Sequence, residues 1–324
     1  MNLQRNAVKL NTHGAFRSIS CPEYRARTSF RACFALYITL DLTGAHRLDL
    51  RARGAVIELQ GDDFSAAASL LEELHVGTAI AGAVLSGHTR GKVFLRNPAD
   101  SLVGFFYDNG FCVLAGAVVD AEFAHACLNW LYSHLEENFF ILYPGHECWV
   151  PVLDSLATAP VKKVERVGYE FDARAFLDQR APQVLSADFT LARLNAALMR
   201  EVADTSYPWI RGTWKSEDEF EQNGLGFCVL ARGRVVSLCY SVFVSGSHRE
   251  IDILTLQPYK RQGMARAVAS AYIQECLDRG LQPGWDCFKD NRASGQLAEA
   301  LGFIPSIEFP VYSWQRVRRA GGDV

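Results

Sequence analysis

The alternation of apolar and polar positions becomes regular only from Asp62 onward. Ser65 to His75 reads as a helix, with Asp62 or Asp63 as its cap. Lys92 to Arg96 alternates as a strand. Leu102 to Tyr107 and Phe111 to Ala115 flank Asp108-Asn109-Gly110, which predicts a hairpin because Asn and Gly tolerate positive φ. Asp120 to Glu137 reads as a long helix. Phe139 to Tyr143 reads as a buried strand broken by Pro144-Gly145, and Val161 to Phe171 as extended chain.

A second stretch, from about Tyr169, is better punctuated. Phe189 to Arg193 is a strand, and Asn195 caps a helix to about Val202. Ser216-Glu217-Asp218-Glu219 predicts a capping box, with serine and glutamate side chains satisfying backbone donors reciprocally. Phe227 to Leu230 and Val235 to Val244 are strands joined across Arg232-Gly233, and Glu250 to Leu256 is the next. Pro258 to Gly263 follows, then a helix to Arg279 with apolar residues at 265, 268, 269, 272, 273 and 276, one face at helical spacing. Gly280 stops it. Gly284 to Phe288 is a short strand, Asn291 to Leu301 a helix and Ile304 to Trp314 a last strand. The expected organisation is a basic, poorly patterned segment at 1–60, an α/β domain at 61–168 and a second domain at 169–324.

Composition narrows the class. The 324 residues suit two domains, and 49% apolar against 21% charged residues supplies a core. A net charge of -3 argues against a nucleic-acid coat, which needs a broad basic surface. No run of about 18 uncharged apolar residues is present, so no membrane partner is expected. The nine cysteines are odd in number and form no CxxC pair, which fits reduced thiols in a cytoplasmic protein and neither a disulfide scaffold nor a metal site. Up to Arg53 nine Lys and Arg face three acidic residues, which reads as a solvated basic arm.

The chemistry concentrates in a strand, a glycine-bearing turn and a helix. The turn is Lys260-Arg261-Gln262-Gly263-Met264-Ala265. Gly263 and Ala265 are small enough for a ligand to approach the backbone. The first-turn N–H groups of the following helix have no internal partner, and with the helix dipole they make an anion site. Lys260, Arg261 and Arg266 add charge suited to a pyrophosphate. Neither a P-loop nor a GxGxxG fingerprint is present.

Lys260-x-x-Gly263-x-Ala265 resembles the [RQ]xxGx[GA] acyl-CoA signature of the GCN5-related N-acetyltransferases, with Lys in the Arg/Gln place. The order afterwards is similar too: helix, strand, Asn291, and a helix closing on Leu301-Gly302-Phe303. Trp214-Lys215-Ser216, Gly226 to Leu230 and Pro283 to Cys287 resemble a narrower group, the family that includes the zwittermicin-A-resistance acetyltransferase. Gly91 to Phe94 and Gly110 to Gly116 look like that group's N-terminal region.

The resemblance implies a mixed, mostly antiparallel twisted sheet in the C-terminal domain and transfer of an acetyl or other acyl group from acyl-CoA, without a metal. It implies that the amides of Arg261 to Ala265 hold the pyrophosphate. Backbone from Leu254 through Thr255 to Leu256 would hold the pantetheine, and Asn291, with Ser294 nearby, would contact the cofactor. The strand ending at Cys287 would splay away. It also implies direct attack by an amine in a ternary complex, with a small-molecule primary amine as the expected acceptor. The other readings are a non-catalytic acyl-CoA sensor and a protein N-acetyltransferase.

Attack needs a neutral amine and hence a base. Glu250 and Asp252 alternate on one strand face, and Asp252 lies nearer the expected thioester. Family members often carry a tyrosine acid where this chain has Ala298, so a thiolate would take its proton from water, from Ser294 or from Cys287, which reads rather as a packed strand residue. His146-Glu147-Cys148 reads as a loop or helix start, because adjacent residues make a poor metal site. His248 is expected in an exposed turn that could still line the acceptor cleft, and Trp209, Trp214 and Trp285 as buried residues that could also wall an acceptor pocket.

Overall fold

The computed structural model describes residues 56–96, 101–134, 139–158, 160–179 and 185–315. The basic segment expected at 1–60 therefore lies outside the described residues up to residue 55. The strands are β1 (Ile57–Leu59), β2 (Lys92–Arg96), β3 (Val103–Asp108), β4 (Phe111–Ala115), β5 (Phe139–Pro144), β6 (Lys162–Phe171), β7 (Phe189–Arg193), β8 (Gly226–Ala231), β9 (Arg234–Ser245), β10 (His248–Thr255), β11 (Gln282–Phe288) and β12 (Phe303–Gln315). The helices are α1 (Thr78–Leu85), α2 (Ala121–His134), α3 (Val150–Leu156), α4 (Ala173–Asp178), α5 (Ala196–Thr205), α6 (Glu217–Asn223), α7 (Met264–Asp278) and α8 (Arg292–Glu299).

The local chemistry explains most of these elements. Asn109 and Gly110 take the positive φ values of 47° and 87° that a tight hairpin requires, and β3 and β4 pair across them. Asn195 Oδ1 accepts from the Leu198 N–H and caps α5. Ser216 Oγ accepts from the Glu219 N–H, so half of the expected capping box forms. Glu219 instead engages His88 Nδ1 at 2.8 Å and accepts from Asn223 Nδ2, a long-range partnership that local spacing could not indicate. The segment expected as a helix at Ser65 to His75 is a 3-10 helix, Gly61–Glu73, with no side-chain cap.

All twelve strands join one sheet in the order β1-β2-β3-β4-β5-β12-β6-β11-β10-β9-β8-β7. Two neighbouring pairs, β4 with β5 and β10 with β11, are parallel, and the others are antiparallel. This order is palindromic: read from either end, strands correspond in pairs six apart, β1 with β7 through β6 with β12. The two halves thus repeat one topology, and each places its last strand in the other. β6 sits beside β11, and β12 sits beside β5.

Each half has its own apolar core. Phe105, Leu114, Phe123, Leu128, Phe140 and Trp149 fill the first, and Val229, Cys239, Val268, Tyr272, Ile273 and Trp285 fill the second. Every described cysteine is a free thiol. No helix among the described residues is long and apolar enough to cross a membrane.

Candidate active site

The sheet opens at one place. β10 and β11 pair in parallel only through His248 with Gln282, Arg249 with Pro283 and Glu250 with Gly284. Beyond that point β10 continues against β9, while β11 continues against β6 from Trp285 to Phe288. The two strands splay and leave a cleft of about 600 Å³.

Strand alternation fixes what faces this cleft. Leu256 N–H donates to Val236 O, and Leu254 O accepts from Ser237 Oγ, so both residues turn their backbone toward β9. The backbone edges of Ile253 and Thr255 therefore face the cleft. Of the three residues expected there, Leu254 and Thr255 line the cleft and Leu256 does not, and the free backbone edge is that of Thr255 together with Ile253. The Ile253 N–H meets Asp252 Oδ1 at 2.9 Å.

At the mouth of the cleft α7 begins on Gly263, whose φ of +80° and ψ of −4° are left-handed. Arg261 is left-handed too, at φ +64°. No side chain caps α7, and its first helical bond runs from Ala267 N–H to Gly263 O, which leaves the amides of Met264, Ala265 and Arg266 without intrahelical acceptors. A Cβ on Gly263 would meet no protein atom within 4 Å. Lys260, Arg261, Gly263, Met264 and Ala265 all line the cleft. Gln262 does not; its side chain donates to Pro258 O.

Asn291 and Ser294 also line the cleft. Asn291 Oδ1 caps α8 by accepting from the Ser294 N–H, so its side chain has a structural task as well as a place at the wall. Ser294 Oγ accepts from Trp285 Nε1 at 3.1 Å, which leaves its own proton free to donate. Ala298 is fully buried.

A second cavity of about 300 Å³ lies against the first. Arg166, Ile251, Asp252, Trp285 and Asp286 line both, and form their common wall. Its other walls come from both repeats: His75 to Ile80, Phe111 and Tyr143 from the first, Trp209, Phe243, His248 and Glu250 from the second. Glu250 and Asp252 thus face one cavity, and only Asp252 also reaches the cleft. His248 is not in a turn. It opens β10, half-buried, with Nε2 2.9 Å from Glu250 Oε2. Trp214 is buried, donating to Ser241 O, whereas Trp209 lines the cavity.

Burial dominates the electrostatics. It raises the Asp252 carboxyl above the usual range, against the lowering effect of the Tyr240 and Tyr207 hydroxyls and the Ile253 N–H. Tyr207 Oη donates to Asp252 Oδ2 at 3.0 Å. Burial likewise raises Glu250, and His248 opposes it. The Arg166 side chain is only 8% exposed and pairs with Asp286 Oδ1, while Tyr143 Oη donates to Asp286 Oδ2 at 3.2 Å. Burial pulls the Arg166 pKa down, but Tyr143 and Asp286 outweigh it and the guanidinium stays charged. Arg166 and Tyr143 had no motif in the sequence, and Asp286 stood only within the Pro283 to Cys287 resemblance, with no role assigned. They meet only because β6 is lodged beside β11.

The first repeat has no equivalent opening. β4 and β5 stay paired from Phe111 with Ile141 to Leu114 with Pro144, and the Gly145 N–H extends the ladder to Leu114 O. At the corresponding helix start, Asp120 Oδ1 accepts from the Phe123 N–H, and Asp120 pairs with Arg96 at 3.0 Å. A carboxylate thus fills the place that α7 leaves open. His146-Glu147-Cys148 lies in a short 3-10 turn, with His146 Nδ1 accepting from the Cys148 N–H. No group of three potential metal ligands occurs among the described residues.

A splayed parallel pair within an otherwise antiparallel sheet, with a glycine-capped helix at its mouth, is the architecture of acyl-CoA-dependent N-acyltransferases. The chain belongs to the GNAT acetyltransferase family, whose model matches residues 69–312. It is 29% identical over 206 residues to the uncharacterised N-acetyltransferase YdfB of Bacillus subtilis (strain 168), covering 63% of this chain and 78% of that one. Among solved structures it is similar in fold to a GCN5-related N-acetyltransferase-like protein from Streptococcus suis, with a TM-score of 0.62 and 24% identity over 78% of this chain and 99% of the other. A tandem GNAT protein from the clavulanic acid biosynthesis pathway aligns with a TM-score of 0.53 at 8% identity, over 82% of this chain and 99% of its own. This protein is an acetyltransferase of the GNAT type.

Proposed function

We propose that the enzyme transfers the acetyl group of acetyl-CoA to a primary amine of a small molecule, by direct attack with both substrates bound. The observation that carries this reading is the common wall between the cleft and the second cavity, where Asp252 stands. The cleft fits the donor: open amides at α7, cationic Lys260 and Arg261, and an unpaired strand edge at Thr255 suit a pyrophosphate and a pantetheine amide. When bound, acetyl-CoA supplies an activated acyl group. Residues 169–324 would hold it, while residues 61–168 complete the acceptor cavity.

The residues of the chain then divide the remaining work. Asp252 accepts the proton of the incoming amine on its carboxylate, and burial brings its basicity nearer to neutral pH. Trp285 and Ile251 exclude water from the junction. Ser294 holds a proton at Oγ inside the cleft, in a position to serve a departing thiolate without the tyrosine that Ala298 replaces. The cavity's small volume favours a small acceptor over a protein chain.

The test is release of free CoA from acetyl-CoA across a panel of amines, with a peptide panel alongside. Turnover with small primary amines is expected. Micromolar binding of acetyl-CoA without turnover of any amine would replace this reading with that of a sensor, and turnover confined to peptides would replace the acceptor class.

A further inference from the structure

The acceptor cavity holds more negative charge than one reacting amine requires. Glu250, Asp252 and Asp286 line it, facing the cation Arg166 and the imidazoles of His75 and His248. Asp286 is engaged by Arg166 and Tyr143. Asp252 stands at the common wall, and each of its oxygens accepts a hydrogen bond, one from Tyr207 and one from the Ile253 N–H.

Glu250 differs from both. It lines the acceptor cavity but not the acyl-CoA cleft. His248 Nε2 holds its Oε2 at 2.9 Å, while Oε1 is buried and has no hydrogen-bond partner. The side chain as a whole is 16% exposed and lines the cavity, so a turn of the carboxyl about its own bond is enough to bring Oε1 to a ligand there. A buried carboxylate oxygen without a donor is costly, and such groups persist in native proteins where something else supplies the donor. Glu250 and Asp252 are two residues apart on one strand face, so their Cα atoms stand roughly 6–7 Å apart along β10. Phe111, Trp209 and Phe243 give the same cavity an apolar wall.

We propose that Glu250, oriented by His248, binds a second, cationic nitrogen of the acceptor, so that the preferred substrates are small diamines. One nitrogen lies at Asp252 and is acetylated. The other stays protonated at Glu250, with about three to five methylenes spanning the strand repeat between the two carboxyls. This inference rests on the acetyltransferase reading above and deepens its acceptor class.

The test compares 1,4-diaminobutane, butylamine and 4-aminobutanol as acceptors with acetyl-CoA, and measures calorimetric binding of 1,4-diaminobutane without acetyl-CoA. The diamine is expected to exceed both others in kcat/KM by about tenfold to a hundredfold, the range for a hydrogen bond to a charged group, mainly through KM. Glu250→Gln should erase that preference and weaken calorimetric binding by a similar factor, while Glu250→Asp, which keeps the charge, should retain part of both. Butylamine or 4-aminobutanol within twofold of the diamine on the wild-type enzyme would overturn the proposal. So would a Glu250→Gln variant that loses kcat equally on all three, because that marks a general base. If Glu250→Gln does not fold, as thermal unfolding would show, the wild-type panel and Glu250→Asp decide. Glu250-dependent binding of the diamine without CoA release from any amine would uphold the binding role and remove the acetyltransferase reading instead.

Discussion

Gly263→Ala separates the backbone cost of the turn from its role in binding. Gly263 is left-handed at φ +80°, and a Cβ there would meet no protein atom within 4 Å. The substitution therefore creates no clash inside the protein. Its cost is conformational, about 1–2 kcal/mol for an L-residue in this region. For a chain of this size that lowers Tm by about 1.5–3 °C. The added methyl group also projects into the space an anionic ligand would occupy above the first turn of α7. Losing one charge-assisted amide contact there costs about 1.5–3 kcal/mol, a tenfold or greater loss of CoA affinity. Gly280→Ala is the matched control: the same helix ends there, with φ +67° and equally open space. It should destabilise by a similar amount and leave CoA affinity unchanged. Circular dichroism melts and titration calorimetry with CoA provide the two readouts. A Gly263→Ala protein that binds CoA within twofold of wild type would refute the assignment, as would a Gly280→Ala protein that binds equally poorly.

Four other outcomes follow from the geometry. Asp252→Asn should reduce kcat/KM by about a hundredfold to ten-thousandfold, and the acidic limb of the wild-type pH–rate profile should lie above the usual aspartate range and vanish in the variant. The same variant should gain stability relative to wild type as pH rises. The folded Asp252 holds its proton more tightly than the unfolded chain does, so the stability present below about pH 3.9 is lost as pH passes through the raised folded value; urea denaturation at several pH values reads the trend. Arg166→Met strands Asp286 beside Tyr143 alone and should cost about 2–3 kcal/mol by chemical denaturation, with a large part recovered when Asp286→Asn is added. Calorimetry should find one CoA site per chain, and Asp120→Ala in the first repeat should lower stability by about 1 kcal/mol without altering that stoichiometry.

Local chemistry was well expressed in the sequence. The Asn109-Gly110 hairpin, the Asn195 cap and the buried face of α7 follow from neighbouring residues alone. The turn at Gly263 was legible because a left-handed backbone at the start of a helix calls for glycine. Helix α1 was silent for the opposite reason. Thr78 to Leu85 is apolar all round and packs against β9 and β3, so it has no polar face to reveal a period. The lining of the second cavity was only partly visible. Glu250 and Asp252 share a strand and were found by alternation. His248 was expected to be exposed, and its half-burial comes from β10 lying beside β11, which the Ser245-Gly246-Ser247 turn does not announce. Arg166, Tyr143 and Asp286 come from β6, β5 and β11, and no local pattern announces that these strands lie together.

The palindromic strand order also constrains how the molecule can be made. β12, thirteen residues long, sits at the centre of the sheet between β5 and β6, yet it is the last described strand to be synthesised. The sheet is therefore assembled from its margins inward, with a late keystone. Until β12 arrives, β5 and β6 each present an open row of backbone donors and acceptors, the kind of edge that recruits strands from other chains. A nascent chain is most vulnerable during that interval, after almost all of its apolar core already exists. The exchange of strands also explains why a repeat with a closed cleft persists. It opens no cleft between β4 and β5, but it lends the strand that carries Arg166 to its neighbour's.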